Sequence, residues 1–230
     1  MNKQITKIKP NALFLLASCL LVSVQLTFAQ SEPMYNSNNE VLTEQRYSKV
    51  QGSPYLYKSW NKGHLHDIKD QILPHASINF NGESGLLEIK EDEKTIQLNQ
   101  NLYNRVEIMV DGEKKVFVNR VTPVDLTYYR AVYQSDIMQF LEKFESKLKE
   151  EEVATYGASK SRSKFINKTK YFVFKAGKMH EVSRNSKKLV AFFKSPRLKG
   201  YIKKNKLNLK KDEDLVKALA YYEGSLTKNK

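Results

Sequence analysis

Val106-Glu107-Ile108-Met109-Val110-Asp111-Gly112-Glu113-Lys114-Lys115-Val116-Phe117-Val118 is the stretch on which the fold turns. Val106, Ile108 and Val110 alternate, and so do Val116 and Val118. Side chains two apart on extended backbone share a face, so each run can bury one side. Asp-Gly between such runs favours the positive φ that a two-residue hairpin turn requires. The same logic works outward. Leu87 and Ile89 alternate, then Ile96 and Leu98, around the acidic turn Glu91-Asp92-Glu93. Tyr171-Phe172-Val173-Phe174 faces Met179 to Val182 across Ala176-Gly177. Residues 55–60 and 76–80 are weaker strand candidates, punctuated by Gly52, Gly63, Gly82 and Gly85.

Residues 126–148 admit two readings. Ile137, Leu141, Phe144 and Leu148 recur at helical spacing. The aromatic run 128–133 is strand-like, and Gln134-Ser135-Asp136 can turn it into a second strand. The small polar run 154–163 is expected to be a loop. Beyond residue 182 the pattern is helical. Ser186 is read as the cap of a short helix ending near Phe193. Ser195-Pro196 starts another, with Pro at the first helical position and Asn205 at the end. Asp212 caps the last, where Leu215, Leu219 and Tyr222 share a face and Gly224 is the stop. The expected class is α+β: an antiparallel hairpin and meander body followed by a small C-terminal helical unit. The expected segments are a leader over 30–50, a β-rich region over 51–153, the loop, and a hairpin with short helices over 164–226.

Residues 1–29 read as a secretory signal peptide. Lys3, Lys7 and Lys9 precede an apolar run, and Thr27-Phe28-Ala29 places small residues where the peptidase cuts. An uncleaved anchor is the first alternative. A lipoprotein acylated at Cys19, in Leu16-Ala17-Ser18-Cys19, is the second, although apolar residues continue after it. In each case the chain is exported, to the periplasm or the medium. Cys19 is the only cysteine. Its removal would exclude disulfides, thiol catalysis and cysteine-bound zinc together.

At the C-terminus, Tyr171 to Phe174, Lys187-Lys188-Leu189, the run Gly200-Tyr201-Ile202-Lys203-Lys204-Asn205-Lys206-Leu207-Asn208, Asp214-Leu215 and Tyr221-Tyr222 follow one another. This order resembles the tail of a group of uncharacterised secreted proteins of Bacteroidota. Gly52-Ser53-Pro54-Tyr55-Leu56 with Lys62-Gly63, and the Phe28-Ala29-Gln30 signal end, are similar to that group as well. The resemblance covers most of residues 50–225. It implies export, a β-rich body with a helical tail, and a hairpin rather than a helix over 126–145. It carries no catalytic signature.

The formal net charge is +14. Residues 30–159 hold 15 basic and 20 acidic side chains, whereas residues 160–230 hold 21 and 5. The basic excess therefore lies in the last third, and it marks Lys199, Lys203, Lys204, Lys206, Lys210 and Lys211 as candidates for an anionic partner. A lysine-rich solvated face is the plainer reading, since phosphate and carboxylate forks favour arginine. His64-x-His66, with Asp67 and His75 nearby, is too sparse for a metal site, and none is expected. Gly82-Glu83-Ser84-Gly85 misses the nucleophile-elbow spacing. The acidic triplets 91–93, 150–152 and 212–214 read as turns and helix starts. Trp60 and the tyrosine pairs 128–129 and 221–222 are candidate stacking surfaces, or core. No dinucleotide or phosphate loop is present. No cofactor and no nucleic-acid partner are expected, and no transmembrane span after signal cleavage. The expected role is non-enzymatic binding of an envelope protein or an anionic envelope component. The alternative is an envelope hydrolase whose site one sequence does not reveal.

Overall fold

Asp111 and Gly112 both adopt positive φ, 50° and 79°, and close the hairpin that their sequence demands. It joins β7 (Tyr103–Val110) to β8 (Glu113–Val118), with Val110 opposite Glu113 and Arg105 opposite Val118. Val106, Ile108 and Phe117 turn inward from it and are buried. The structure is a computed structural model describing residues 40–42, 46–91, 94–155 and 158–227. The expected signal segment, Cys19 and the start of the leader lie outside the described residues.

Among the described residues the protein is mostly β, with three helices at its C-terminal end. The remaining strands are β1 (Glu40–Leu42), β2 (Val50–Gln51), β3 (Asn61–Asp67), β4 (Ile72–Asn81), β5 (Leu86–Glu91), β6 (Lys94–Gln97), β9 (Tyr129–Gln134), β10 (Met138–Thr155), β11 (Ala158–Lys175) and β12 (Lys178–Val182). They form one sheet in the order β1-β6-β5-β4-β3-β7-β8-β9-β10-β11-β12, antiparallel at every step, while β2 pairs in parallel with β11. The sheet is strongly curled. Leu98 still bonds Leu87 of β5, yet the Leu102 carbonyl accepts from Ile68, just past β3. A tight turn at Asn99 joins the two, so the beginning of β5 and the end of β3 must be close in space. On the far side, the Ser146 amide of β10 donates to the Gly82 carbonyl at the end of β4. Gly82 is required there, because a Cβ would sit 2.5 Å from the Phe144 ring and 2.9 Å from the Ser146 amide. The curl encloses Leu65, Ile78, Phe80, Leu87, Ile89, Val106, Ile108, Phe117 and Tyr128.

Of the two readings of residues 126–148, the hairpin holds and the helical spacing does not produce a helix; β10 is a strand paired with both β9 and β11. Met138, Phe140, Glu142, Phe144 and Ser146 are buried at period two, while Ile137 and Leu148 are exposed. Partners on both sides satisfy the ladder, and that outweighs helical spacing. The expected loop over 154–163 is corrected: its described residues are strand, because β10 and β11 pair all the way to Thr155 and Ala158. The sheet therefore runs unbroken through the expected boundary. Part of the expected leader is structured too, with β1 on β6 and β2 on β11. Residues 55–60 make only an isolated bridge, Tyr55 with Asn81.

The helices are α1 (Ser186–Phe193), α2 (Pro196–Lys204) and α3 (Asp212–Thr227). Asn185, not Ser186, caps α1, its side chain accepting from the Lys188 amide. Ser195 caps α2 with Pro196 behind it, and Asn205 ends it. Gly224 does not stop α3, which continues to Thr227. Leu189, Phe193, Leu198, Ile202, Leu215 and Leu219 pack with Met138, Phe140 and Val173 of the sheet. Each fully buried leucine contributes about 2 kcal/mol. The attachment of the helices is therefore mainly apolar, and polar contacts add orientation.

Candidate functional site

Three clusters of polar side chains bear on function. The first is the basic face of the helical unit. Lys199, Lys203 and Lys204 lie on α2, and Lys206, Lys210 and Lys211 lie in the connection to α3. All six are exposed. Among the described residues none of them is ion-paired to a carboxylate. The buried side of α2 is set by Leu198 and Ile202. At 100° per residue, Lys199 and Lys203 then share one flank, and Tyr201 and Lys204 share the other. Tyr201 stacks on Tyr221 of α3, with ring centroids 3.9 Å apart and planes 5° from parallel. Tyr221 is exposed, so the stack is a surface feature beside the lysines.

Of the two readings of the tyrosine pairs, core holds for Tyr128, Tyr129 and Tyr222, and Tyr221 is the one of the four that stacks at the surface. Tyr128 and Tyr129 are buried, and Tyr128 donates to the Tyr103 carbonyl. Tyr222 is buried against Phe193, with centroids 4.3 Å apart. Neighbours in sequence point to different sides of a helix, so the 221–222 pair splits. Helical phasing of Tyr201 and Tyr221 against their buried leucines was the signal for the true pair.

The second cluster surrounds Glu88 on β5. Leu87 and Ile89 point into the core, so Glu88 points to the opposite face of the sheet. It is nevertheless completely buried, because residues 46–60 fold over it. Its Oε2 accepts from Arg46 Nη2 at 2.6 Å and from the Tyr55 hydroxyl at 2.9 Å, and its Oε1 accepts from Asn81 Nδ2 at 2.8 Å. Burial, and then the Glu88 charge, push the Tyr55 hydroxyl well above the ordinary tyrosine value, so it remains a donor. Burial and the bond to Glu83 push the Tyr47 hydroxyl up to about 12. Arg46 stacks its guanidinium over the Tyr47 ring at 4.7 Å. A 390 Å³ pocket opens beside this cluster, lined by Arg46, Tyr55 and Trp60 among others. Both oxygens of Glu88 are engaged by donors. It serves as an anchor and is poorly placed to take a proton from a substrate.

The third cluster joins the sheet to the helices. Arg130 of β9 donates Nη2 to Glu142 Oε2 at 2.5 Å and Nη1 to Asp212 Oδ2 at 2.5 Å. Arg184 meets Asp212 at 3.0 Å, and its Nε donates to the Leu209 carbonyl. Lys115 of β8 reaches Asp212 at 3.2 Å. Burial alone would lower the Arg130 pKa, but the bonds to Glu142 and Asp212 raise it well above the ordinary guanidinium value. Burial likewise would raise the Asp212 carboxyl, and Arg130, Arg184 and Lys115 together hold it far below the usual aspartate range. Asp212 is thus more than the helix start its sequence position suggests. It ties α3 to β8 and β9.

No family model, curated protein or solved structure matches this chain. The other sequence candidates take ordinary places. His64 and His66 lie on β3, and no group of three metal-binding side chains exists among the described residues. The side chain of His75 lies outside them. Residues 82–85 form the turn between β4 and β5. Among the described residues, no helix is long and apolar enough to cross a membrane.

Proposed function

We propose that this chain is an exported, non-enzymatic binding protein of the cell envelope, whose helical unit docks on an anionic surface through Lys199, Lys203, Lys204, Lys206, Lys210 and Lys211. The observation that carries the reading is their availability. Six exposed ammonium groups lie within thirteen residues, without a carboxylate partner among the described residues. Flexible point charges of this kind suit a diffuse anionic surface better than a single planar ligand. The Tyr201–Tyr221 stack adds a half-apolar contact beside them. Export rests on the sequence of residues 1–29 and on the resemblance of the tail to secreted proteins.

The test is co-sedimentation of the purified chain with vesicles of anionic phospholipid and with neutral vesicles. Raising salt from about 50 to about 300 mM shortens the Debye length by roughly half or more. Binding to anionic vesicles alone, lost at the higher salt, is the expected result. The fourfold variant Lys203→Glu, Lys204→Glu, Lys210→Glu and Lys211→Glu should lose at least tenfold in affinity. Unchanged binding by that variant would remove the electrostatic part of the proposal. N-terminal sequencing of the exported protein tests cleavage after Ala29.

A further inference from the structure

The β10–β11 hairpin carries a second basic surface, on the face of these strands turned away from the helices. We propose that this face binds a sulfated polysaccharide, laid along the strands and held by Lys143, Lys147, Lys149, Lys164, Lys168 and Lys170. β9 pairs with β10 only over Gln139 to Glu142, and β12 pairs with β11 only over Tyr171 to Lys175. Past those points β10 and β11 continue together in unbroken register. Side chains alternate between the two faces of such a ribbon, and residues opposite one another share a face. One face holds Phe144, Ser146 and Phe165, all buried. Residues 47–53 cover part of it. Tyr47 meets Phe165 edge-on with centroids 5.1 Å apart, and Asn167 Nδ2 donates to the Ser53 carbonyl at 3.2 Å.

The other face reads, rung by rung, Lys143 with Lys170, Glu145 with Lys168, Lys147 with Ile166, and Lys149 with Lys164. Six lysines stand there with one carboxylate. Glu145 is taken by Lys143 at 3.2 Å and by Lys170 at 2.9 Å. Lys147 and Lys168 are exposed and form no ion pair among the described residues. Three features choose the ligand. Rungs on one face repeat about every 6.7 Å, so the four span about 20 Å in a row. A polymer with a charge on successive units can follow that row, each unit after the first binding as an intramolecular step. The cations are all lysine. A planar carboxylate favours the arginine fork, whereas lysine serves a tetrahedral sulfate or phosphate as a point charge. No aromatic ring stands on these rungs, so the bases of a single-stranded nucleic acid find no stacking platform. A chain of sulfated sugars needs charge in a row and no stacking surface, and it fits this face.

The test is the fluorescence anisotropy of labelled dextran sulfate titrated with the full chain at about 0.15 M salt, where charges beyond about 8 Å are screened. Unlabelled dextran, polyglutamate and polythymidylate compete in separate arms. Saturable binding is expected, with no competition by dextran and competition at least tenfold weaker by polyglutamate and polythymidylate than by unlabelled dextran sulfate. Two variants of equal net charge locate the site. Lys147→Gln with Lys168→Gln should weaken binding at least tenfold, and Lys203→Gln with Lys204→Gln on the helical face less than twofold. Lys147→Arg with Lys168→Arg keeps both charges and should bind within twofold of the unaltered chain. Amine acetylation read by mass spectrometry needs no variant to fold. On the unaltered chain, dextran sulfate should protect Lys147 and Lys168 at least threefold. Equal losses in the two glutamine variants, or protection of Lys203 and Lys204 instead, overturn the ribbon as the site. Equal competition by polyglutamate overturns the tetrahedral anion, and equal competition by polythymidylate overturns the sugar. Absence of binding overturns the proposal and leaves the vesicle test of the helical face standing.

Discussion

Glu88 and Glu142 stand on the same sheet, each carboxylate meeting an arginine at close range, 2.6 Å in one case and 2.5 Å in the other. Their surroundings differ. Glu88 draws its remaining bonds from neutral groups, the Tyr55 hydroxyl and the Asn81 amide, and among the described residues Arg46 bonds through Nη2 alone. Glu142 shares Arg130 with Asp212, and Arg130 commits Nε, Nη1 and Nη2 to the two carboxylates. The first arrangement closes a short arm over one strand and leaves a donor to spare. The second joins residues 82 positions apart and engages all three guanidinium nitrogens of Arg130. Arg46 is thus held at one nitrogen by a single carboxylate, whereas Arg130 is held at three by two carboxylates on different elements.

The comparison breaks first, and with the largest effect, at Arg130. Arg130→Ala leaves Glu142 and Asp212 with only the more distant Arg184 and Lys115. Removing one partner of a buried ion pair costs about 3–5 kcal/mol. Urea unfolding should read a loss of that order, and a loss under about 1 kcal/mol would mean that Arg130 fastens nothing. Arg46→Ala should cost less, about 2 kcal/mol, because Glu88 retains two neutral donors and the arginine is partly solvated. Equal losses at the two arginines would erase the distinction drawn between them.

Acid sharpens the same contrast. Asp212 in the folded protein titrates below its unfolded value of about 3.9. A depressed carboxyl stabilises fully above the unfolded value, and that contribution is lost as pH falls through the folded one. The unaltered protein should therefore lose stability between about pH 4 and about pH 2. Asp212→Asn should flatten that loss by an amount on the order of 1 kcal/mol, since a quarter of the side chain is exposed and screened. The measurement is the urea midpoint against pH for both proteins. Parallel curves would show that Asp212 is not the acid-sensitive link.

How much of this was legible in the sequence depends on the range of the interaction. The Asp111-Gly112 and Ala176-Gly177 turns carry their own signal, and both adopt the positive φ it implies. Ser195-Pro196 opens its helix for equally local reasons. β10 was only half legible, because helical spacing competed with the turn at Gln134-Ser135-Asp136, and a strand with partners on both sides can carry apolar residues at several spacings. Glu88 reads only as the polar member of an alternation. Its burial comes from Arg46 and Tyr55, 42 and 33 positions earlier, which fold back over it. Asp212 looks like any acidic helix start, and nothing near it announces Arg130. Of the site candidates, the lysines were found by counting charge. The Arg46 pocket needed the third dimension.

The smallest effect tests whether burial of the acceptor separates the two regions. Tyr55 donates to the fully buried Glu88, and Tyr133 donates at 2.7 Å to Glu223, which is only half-buried on α3. Phenylalanine keeps either ring and deletes either hydroxyl. A hydrogen bond to a charged group contributes about 1.5–3 kcal/mol, and the loss is greatest where water cannot replace the donor. Tyr55→Phe should therefore cost about 1.5 kcal/mol, and Tyr133→Phe about 0.5 kcal/mol, since water reaches Glu223. A cycle combining Tyr55→Phe with Arg46→Lys should show coupling of at least about 0.5 kcal/mol, because both side chains bond the same Glu88 oxygen. Additive losses in that cycle would mean that the two donors act on Glu88 independently. Tyr55 would then contribute to the arm without helping to hold Arg46 against Glu88.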